Sequence, residues 1–268
     1  GGELISAFDL TEPDTGSDPA NLTTRAVRDG DDYLISGTKR YITNAKRAGV
    51  FTVMARTEFD KPGADAISAF LVPSDSPGLT IGKKDRKMGQ RGTTTSDVMF
   101  DNVRVPASSI IGLKPGRGFR LAMRVLDRGR IHIAALATGA CKRLIAEMTG
   151  FAKERRQFGK PIAEYQLIQA MIADSYTEYL ASRALVEQTA AIYDREGAAR
   201  TEASAAKYFA TEAVGRVADR AVQVHGGAGY MSEYAVERFY RDVRLMRIYE
   251  GTSQIQQLLI ARQILKEA

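Results

Sequence analysis

A carboxylate close to the C-terminus is the residue best placed to do chemistry. Glu250 stands between an aromatic residue and a glycine in the run Arg-Ile-Tyr-Glu-Gly-Thr-Ser-Gln. The pattern predicts a following helix capped by Thr252 or Ser253, and Gln256 fits a capping box with Ser253. A carboxylate in a glycine turn before a helix has exposed backbone N–H groups beside it, so a general base and an oxyanion donor can be neighbours. The alternative is a solvent-exposed Glu250, as for most charged residues.

Two polar clusters near the N-terminus could bind a ligand. Residues 8–18 read Phe-Asp-Leu-Thr-Glu-Pro-Asp-Thr-Gly-Ser-Asp and offer hydroxyl and backbone groups to a polar planar ligand, although ordinary turn chemistry explains the same residues. In the strand-like run 39–44, Tyr41 and Thr43 share one strand face. Tyr41 could pack beside a flat ring to which Thr43 donates a hydrogen bond. Alternatively, the two side chains form a surface pair.

Two further clusters lie in the second half. In residues 154–161, two arginines stand close to a helix end that we expect at Gly159, because Pro161 blocks continuation. They indicate a phosphate site, although a helix C-terminus also favours cations. In residues 223–230, three glycines allow a ligand to approach the backbone closely. This is not a dinucleotide fingerprint, because it follows a predicted helix instead of a strand.

Composition indicates an ordinary globular protein. The 268 residues are 44% hydrophobic and 26% charged, which leaves room for two domains. The single cysteine, Cys141, cannot form an internal disulfide, so we expect a reducing compartment and a buried thiol. Two histidines leave little for a metal site. No apolar stretch is long enough to span a bilayer.

The net charge of +6 is unevenly distributed. Residues 1–110 carry 14 basic and 15 acidic side chains, and residues 111–268 carry 24 and 17. Helical spacing places Arg117, Arg120, Arg124 and Arg128 on one face. This face is either solvated or an anion site, for the phosphates of a small ligand or for nucleic acid.

Periodicity divides the chain into a β part and a helical part. Strands are predicted near residues 33–36, 50–55, 66–72 and 97–100, separated by turn clusters, as in a barrel or sandwich. Helical spacing then predicts helices at roughly 117–155, 164–195, 201–225, 233–239 and 252–266. Short loops between helices favour an antiparallel bundle. We therefore expect an α+β protein with a β-barrel or sandwich domain, residues 1–112, followed by a four-helix bundle, residues 113–268.

Taken together and in order, these motifs resemble those of the acyl-CoA dehydrogenase family of flavoproteins. The matching segments are Thr11-Glu-Pro-x-x-Gly-Ser-Asp18, Tyr41-Ile-Thr-Asn44, Lys87-Met-Gly-x-Arg-Gly92, Val103-x-Val-Pro106, Arg155-x-Gln-Phe-Gly159, Gln223-x-x-Gly-Gly227 and Tyr249-Glu-Gly-Thr-Ser-Gln254. The resemblance covers nearly the whole chain. The family has an N-terminal helical domain, a middle β domain and a C-terminal four-helix bundle, so we expect this chain to lack the first of these.

The resemblance implies FAD as the cofactor. The residues that would hold the flavin are Phe8, Leu10, Thr11, Gly16 and Ser17, with Tyr41 and Thr43 beside the ring. Those that would reach the FAD of a neighbouring subunit are Arg155, Gln157, Phe158, Gln223 and Gly227. Thr252 and Gln254 would contact the FAD of their own subunit. Tyr41 stands where many relatives have Trp or Phe. A homotetramer is implied.

The resemblance also implies a reaction, the conversion of an acyl-CoA thioester to the trans-2-enoyl-CoA. Glu250 would remove the α-proton while a hydride passes to flavin N5, and the Gly251 N–H with a flavin ribityl hydroxyl would stabilise the enolate oxygen. Some relatives carry the base near residue 129, which here is Gly129. The substrate would contact Ser17, Asp127, Arg130 and Tyr249.

An electron-transfer flavoprotein is the implied electron acceptor, and fatty acid metabolism in the bacterial cytoplasm or mitochondrial matrix is the implied setting. Three other possibilities stay open. An acyl-CoA oxidase would pass the electrons to oxygen, and a nucleic-acid-binding flavoprotein would use the basic half of the chain. The third is an inactive scaffold that lacks the first domain.

Overall fold

The structure is a computed structural model that describes residues 2–267. The chain forms two compact units. The first contains the residues up to Lys87 together with Arg91–Arg124, and the second contains Met88–Gln90 together with the residues from Val125 onward. The expected domain division after residue 112 stays a prediction.

A mixed seven-stranded sheet forms the first unit. Its strands are β1 (Ile5–Asp9), β2 (Arg25–Asp29), β3 (Asp32–Thr43), β4 (Ala48–Arg56), β5 (Ile67–Pro73), β6 (Leu79–Ile81) and β7 (Thr95–Pro106). The order is β1-β4-β2-β3-β7-β6, and β5 also pairs with β4. β4 runs parallel to β1 and β2, whereas the other pairs are antiparallel.

Alternating burial explains the core of this sheet. On β7, Ser96, Val98 and Phe100 point inward, and Val103 and Val105 continue the pattern after a register shift. The predicted strands near residues 33–36, 50–55, 66–72 and 97–100 are confirmed. β1, β2 and β6 were not predicted, because they are short and their apolar alternation is weak.

A buried ion pair anchors the first loop of this unit. Glu12 and Lys39 are both buried, and their Oε1 and Nζ atoms lie 2.8 Å apart. Thr23 donates to Glu12 through its backbone N–H and its hydroxyl at 2.6 and 2.7 Å. Burial opposes ionisation of Glu12, but Lys39 and these donors outweigh it and lower the pKa of Glu12 to about 2. Glu12 therefore stays charged and fixes the start of the loop.

The second unit is helical. Its helices are α1 (Gly118–Glu154, which begins in the first unit), α2 (Gln166–Glu196), α3 (Arg200–His225), α4 (Ala235–Val243) and α5 (Ser253–Glu267). All five correspond to predicted helices, and the α+β class with a C-terminal helical bundle is confirmed. None of the helices in residues 2–267 is long and apolar enough to cross a membrane. Within the same residues there is no cluster of His, Cys, Asp and Glu suited to a metal ion.

Small apolar residues at helical spacing form the core of this unit. α1 contributes Ala134, Ala137, Cys141, Leu144 and Met148, which recur every three or four residues. α3 contributes the buried residues Ala206, Ala210, Val214, Val217 and Ala221. Cys141 is buried as expected, and burial raises the pKa of its thiol to about 12. The thiol is therefore a packing group here.

The expected helix end at Gly159 is wrong. α1 ends at Glu154, and the next residues form a hairpin of β8 (Arg156–Gln157) and β9 (Lys160–Pro161). Phe158 and Gly159 make the two-residue turn with φ of 49° and 85°. Two consecutive positive φ values are typical of a type I′ hairpin turn, which competes with the continuation of a helix.

We expect Lys39→Met to destabilise the first unit by about 3–5 kcal/mol, because it leaves the Glu12 carboxylate buried without its cation. Denaturant unfolding followed by far-ultraviolet circular dichroism measures this change. Lys46→Met is the matched control, since Lys46 is exposed just after β3. A Lys39→Met protein as stable as the Lys46→Met protein would contradict the anchoring role.

Candidate functional site

The turn before α5 holds Glu250 in an uncommon backbone conformation. Glu250 and Gly251 have φ of 56° and 87°, both in the left-handed region. A Cβ atom on residue 251 would lie 2.6 Å from Gln256 Nε2, so glycine is required there for space as well as for conformation. Thr252 caps α5 by accepting a hydrogen bond from the Ile255 N–H at 3.3 Å, which confirms the predicted helix start.

The predicted capping box is wrong, because Ser253 and Gln256 have other partners. The Ser253 hydroxyl donates to Glu212 Oε1 at 2.6 Å. Gln256 is buried, and its amide donates to the carbonyl oxygens of Glu250 and Gly251 at 3.0 Å each. The amide thus supports the turn that carries Glu250 instead of the first turn of α5.

The Glu250 side chain is partly buried beside α1. Its Oε2 atom is buried and has no hydrogen-bond partner among residues 2–267. A Cβ atom on residue 129 would lie 2.7 Å from this oxygen, so the carboxylate occupies the space that Gly129 leaves open. Burial raises the pKa of Glu250, while the charges of Arg130 and Lys207 oppose the rise. The site therefore contains a desolvated carboxylate faced by two cations.

Arg130 is buried and held by its own partners. It donates to Asp127 Oδ1 at 2.7 Å and, through Nε, to the Glu250 carbonyl at 3.4 Å. Arg200 also pairs with Asp127, at 3.3 Å. Asp127 and Arg130 were both predicted as site residues, and the structure brings them together with Glu250.

Lys207 on α3 is fully buried and was not predicted as a site residue. Its Nζ donates to the Gly251 carbonyl at 2.8 Å. Burial and the neighbouring charge of Arg130 lower the pKa of Lys207 to about 8, although Glu250 and Glu212 oppose this shift. Lys207 therefore remains mostly protonated at neutral pH.

The turn also presents unpaired backbone donors. Within the part of the chain that the structure describes, the N–H groups of Glu250 and Gly251 make no hydrogen bond. The Gly251 N–H is the predicted oxyanion donor, and the structure adds the Glu250 N–H as a second unpaired donor. Tyr249, the predicted neighbour of the substrate, is partly buried, and its pKa is raised by burial while a hydrogen bond from Gln90 opposes the rise. Gln254 is exposed in the first turn of α5.

A separate groove collects most of the residues expected to reach a second subunit. It has a volume of about 680 Å³ and is lined by the α1 end, the hairpin, the start of α2 and the end of α3. Arg155, Gln157, Phe158 and Gly227 line it, whereas Gln223 is exposed on α3 and is not part of the lining. Phe158 is 94% exposed, so its ring has almost no cover within the chain.

In the first unit, the predicted flavin loop lies against β3. The Arg40 N–H donates to the Thr11 carbonyl at 2.8 Å, and Lys39 donates to the Leu10 carbonyl at 3.3 Å. Tyr41 and Thr43 on β3 are exposed, with Ile42 buried between them. Of the remaining predicted residues, Phe8, Gly16 and Ser17 are exposed and Leu10 is buried. The structure thus brings the two N-terminal clusters together.

Comparisons with known proteins identify the family. Residues 7–103 match the model of the acyl-CoA dehydrogenase middle domain, and residues 116–265 match that of the acyl-CoA dehydrogenase C-terminal domain. The chain belongs to the acyl-CoA dehydrogenase family. This confirms the resemblance seen in the sequence.

Individual relatives agree with this assignment. The chain is 46% identical to the probable acyl-CoA dehydrogenase YngJ of Bacillus subtilis, over 99% of the chain and 70% of that protein. It is 44% identical to the CarC subunit of the caffeyl-CoA reductase-Etf complex of Acetobacterium woodii, over 99% of this chain and 70% of that subunit. A solved glutaryl-CoA dehydrogenase from Mycobacterium smegmatis in complex with FADH2 superposes with a TM-score of 0.92 at 35% identity, covering 99% of this chain and 67% of that chain.

Within this acyl-CoA dehydrogenase family member, Gly129 offers a test that separates stability from function. We expect Gly129→Ala to fold at least as stably as the parent, because alanine is favoured over glycine in a helix by about 1 kcal/mol. The new methyl group would displace the flexible Glu250 carboxylate. Turnover of an acyl-CoA should then fall roughly tenfold to a hundredfold, the size of loss that a small displacement near a reaction site produces.

Gly139→Ala and Gly150→Ala are the matched controls for Gly129→Ala. Both lie on α1, and an added Cβ there meets no heavy atom within 4 Å among the described residues. Thermal unfolding and steady-state turnover should be measured on all three variants. Equal turnover of Gly129→Ala and the controls would contradict a role for the space beside residue 129.

Proposed function

We propose that this chain catalyses the FAD-dependent α,β-dehydrogenation of an acyl-CoA thioester, with Glu250 as the base that removes the α-proton. The observation that carries the proposal is the desolvated Glu250 carboxylate, whose Oε2 atom has no hydrogen-bond partner within residues 2–267. A carboxylate whose pKa is raised by burial is a stronger base than one in water. This oxygen fills the space that Gly129 leaves open, so no other side chain competes for the position.

The weak acidity of an α-proton requires a second contribution besides the base. The unpaired N–H of Gly251 is proposed to donate to the thioester oxygen and to stabilise the enolate that forms as Glu250 takes the proton. Removing one such donor typically costs about 2.7–4 kcal/mol in the barrier. Entry of the acyl chain would expel water and raise the pKa of Glu250 further.

Substrate contacts are proposed for four residues. In the second unit, Arg130 and Asp127 lie beside the Glu250 turn and Tyr249 precedes Glu250 directly. They would line the region of the thioester. In the first unit, the exposed Ser17 would contact the substrate as well.

The residues present fit FAD. In the first unit, the exposed parts of the loop around Thr11, Gly16 and Ser17, together with Tyr41 and Thr43, offer hydroxyl groups and an aromatic ring to the flavin. In the second unit, the groove combines the cation of Arg155 with the exposed ring of Phe158 and the exposed backbone of Gly227. Thr252 and Gln254 are proposed to contact FAD from the start of α5. When bound, FAD would supply the acceptor for the hydride that leaves the β-carbon.

The exposed aromatic and aliphatic side chains around the groove favour a homo-oligomer, and we propose a homotetramer. Phe158, Leu167 and Tyr230 are 94%, 79% and 82% exposed. Exposed apolar groups of this kind are typical of an interaction surface. Arg155, Gln157, Phe158, Gln223 and Gly227 would then contact the FAD of a neighbouring subunit. An electron-transfer flavoprotein is the proposed acceptor, supported by the relative named as part of a reductase-Etf complex.

The same site supports two alternatives that differ in the fate of the electrons. An oxidase would produce peroxide during aerobic turnover, and a reductase would run the half-reaction towards the acyl-CoA. The reductase name of one relative favours testing the second. Binding to nucleic acid has weaker support, since CoA phosphates explain the charge of the basic half more simply.

Glu250→Gln should keep FAD bound but slow its reduction by an acyl-CoA about 10²–10⁴-fold or more, because the amide keeps the size of the side chain and removes its basicity. The measurement is anaerobic stopped-flow bleaching of flavin absorbance with straight, branched and cyclic acyl-CoAs. Glu147→Gln is the control, since Glu147 is a partly buried carboxylate on α1 that pairs with Arg143. If Glu250→Gln bleached within tenfold of the parent rate, the proposed base would be wrong.

Arg155→Leu should weaken FAD binding roughly tenfold to a hundredfold, the effect of losing a hydrogen bond to a charged group worth about 1.5–3 kcal/mol. The fold should persist, because the Arg155 side chain is exposed. Titration of the flavin-free protein with FAD, followed by flavin fluorescence, measures the affinity. Lys153→Leu removes an exposed cation outside the groove lining and serves as the control. Equal affinities of the two variants would contradict the proposed FAD contact.

A further inference from the structure

The turn that carries Glu250 needs outside support. A residue other than glycine in the left-handed region is held there at a cost of about 1–3 kcal/mol, and such residues persist only where their surroundings fix them. Glu250, at φ 56°, is such a residue, and Gly251 follows at φ 87°. The side chains that hold these two residues therefore determine where the Glu250 carboxylate points.

Three side chains from three helices hold the carbonyl oxygens of the turn. Gln256 of α5 donates to the carbonyls of Glu250 and Gly251 at 3.0 Å each. Lys207 of α3 donates to the Gly251 carbonyl at 2.8 Å, and Arg130 of α1 reaches the Glu250 carbonyl at 3.4 Å. Gln256 and Lys207 are fully buried, so neither exchanges these bonds for bonds to bulk water.

Peptide geometry links this support to the oxyanion donor. In a trans peptide the C=O and N–H groups point in opposite directions within one plane. The peptide that joins residues 250 and 251 contains the Glu250 carbonyl and the Gly251 N–H. Because Gln256 and Arg130 hold the carbonyl, they also fix the direction of the Gly251 N–H, which points away from them at the opposite edge of the peptide.

A lysine at position 207 suggests a role for its charge as well as for its hydrogen bond. Burial of an ammonium group is unfavourable, and a methionine of similar length would fill the same volume without that penalty. Lys207 lies two turns into α3, beyond the first turn whose N–H groups need a cap. Its positive charge lowers the pKa of Glu250, which burial alone would raise further. A purely structural role explains the hydrogen bond to Gly251 but not the charge.

We propose that Lys207 and Gln256 are positioning residues, which fix the Glu250–Gly251 turn so that the base and the oxyanion donor face the same substrate. This inference rests on the proposed role of Glu250. It assigns two buried residues outside the predicted site to the reaction.

The charge environment of Glu250 determines the sign of the expected pH effect. Charged groups facing Glu250 come from two helices, namely Arg130 from α1 and Lys207 from α3. Around these cations lie Asp127, Arg200 and Glu212. Without the charge of Lys207, Arg130 is the one remaining cation of the pair that lowers the pKa of Glu250. The pKa of Glu250 should then rise. The acidic limb of the pH–rate profile, where Glu250 takes up a proton, should therefore move to higher pH.

The test compares Lys207→Met and Gln256→Met in the FAD-loaded protein, with Lys142→Met as the control because Lys142 is exposed on α1. Anaerobic stopped-flow reduction by one acyl-CoA gives the limiting rate, the half-saturating concentration and their pH dependence. Both variants should lower the limiting rate roughly tenfold to a hundredfold, the effect of a misplaced reacting group. The half-saturating concentration should change by less than the limiting rate.

The pH profile separates the two roles. Lys207→Met should move the acidic limb to higher pH, whereas Gln256→Met, which removes no charge, should leave that limb in place. Lys207→Arg should keep the limb near its parent position, because it retains the charge. The proposal would be overturned if Lys207→Met and Gln256→Met had the same limiting rates and the same acidic limbs as Lys142→Met.

Three further outcomes are decisive. If Lys207→Met does not retain FAD, Gln256→Met alone tests the turn, and a parental limiting rate in that variant overturns the proposal. If Glu250→Gln keeps the parent rate, the proposed function fails first. If Glu250→Gln is slow while Lys207→Met and Gln256→Met are not, the function stands and only the positioning role fails.

Discussion

The second unit holds a partly buried carboxylate, one oxygen of which is out of contact with water. Burial raises the pKa of Glu250, and an isolated buried carboxylate would take up a proton. Arg130 and Lys207 oppose this by their charges, but neither forms an ion pair with the side chain, because both donate to backbone carbonyls of the turn instead. The carboxylate is thus stabilised electrostatically, while its Oε2 atom has no hydrogen-bond partner among residues 2–267. This combination suits a base that must bind a proton from carbon.

The first unit contains a different solution to the same problem of a buried charge. Glu12 is paired with Lys39 and accepts hydrogen bonds from the Thr23 and Thr24 segment, so its pKa is lowered to about 2. Such a carboxylate is a poor base and a good anchor. The contrast with Glu250 lies in direct pairing: a Glu12 oxygen contacts the Lys39 ammonium group, whereas Glu250 Oε2 has no hydrogen-bond partner among residues 2–267.

Much of the fold could be predicted from the sequence because its signals are local. The α1 pattern Ala134, Ala137, Cys141, Leu144 and Met148 already defines a buried helix face. β2 and β6 were missed because their stability comes from pairing with β3 and β7, which no local pattern reports. The hairpin after α1 was missed because a glycine and a proline also fit a helix end.

The candidate site shows the same limit. The sequence motifs point to Glu250, Gly251 and Arg130 as site residues. The same motifs do not point to Lys207 or Gln256. One signal was present in the sequence: Lys207 shares a helical face with Ala203, Ala210 and Val214, all of which are buried. A lysine on an apolar helix face is worth noting, because a buried ammonium group requires a specific partner. The partner, the Gly251 carbonyl, lies 44 residues away in sequence and is found only in the folded chain.

Space around Glu250 also bears on where a base can stand in this family. The resemblance places the base of some relatives near residue 129, and in this chain a Cβ atom at that position would lie 2.7 Å from Glu250 Oε2. Two side chains cannot share this volume, so a carboxylate at 129 excludes the present position of the one at 250. A side chain at either position would occupy the same space. Residue 129 lies on the helix α1, whereas residue 250 lies on a turn whose backbone is in the left-handed region. A base on the turn requires buried donors to fix its backbone, whereas a base on α1 would inherit its direction from the helix. Glycine at position 129 gives the Glu250 side chain its space, and the three donors around residues 250 and 251 fix its backbone. Both are required to hold a carboxylate on this turn.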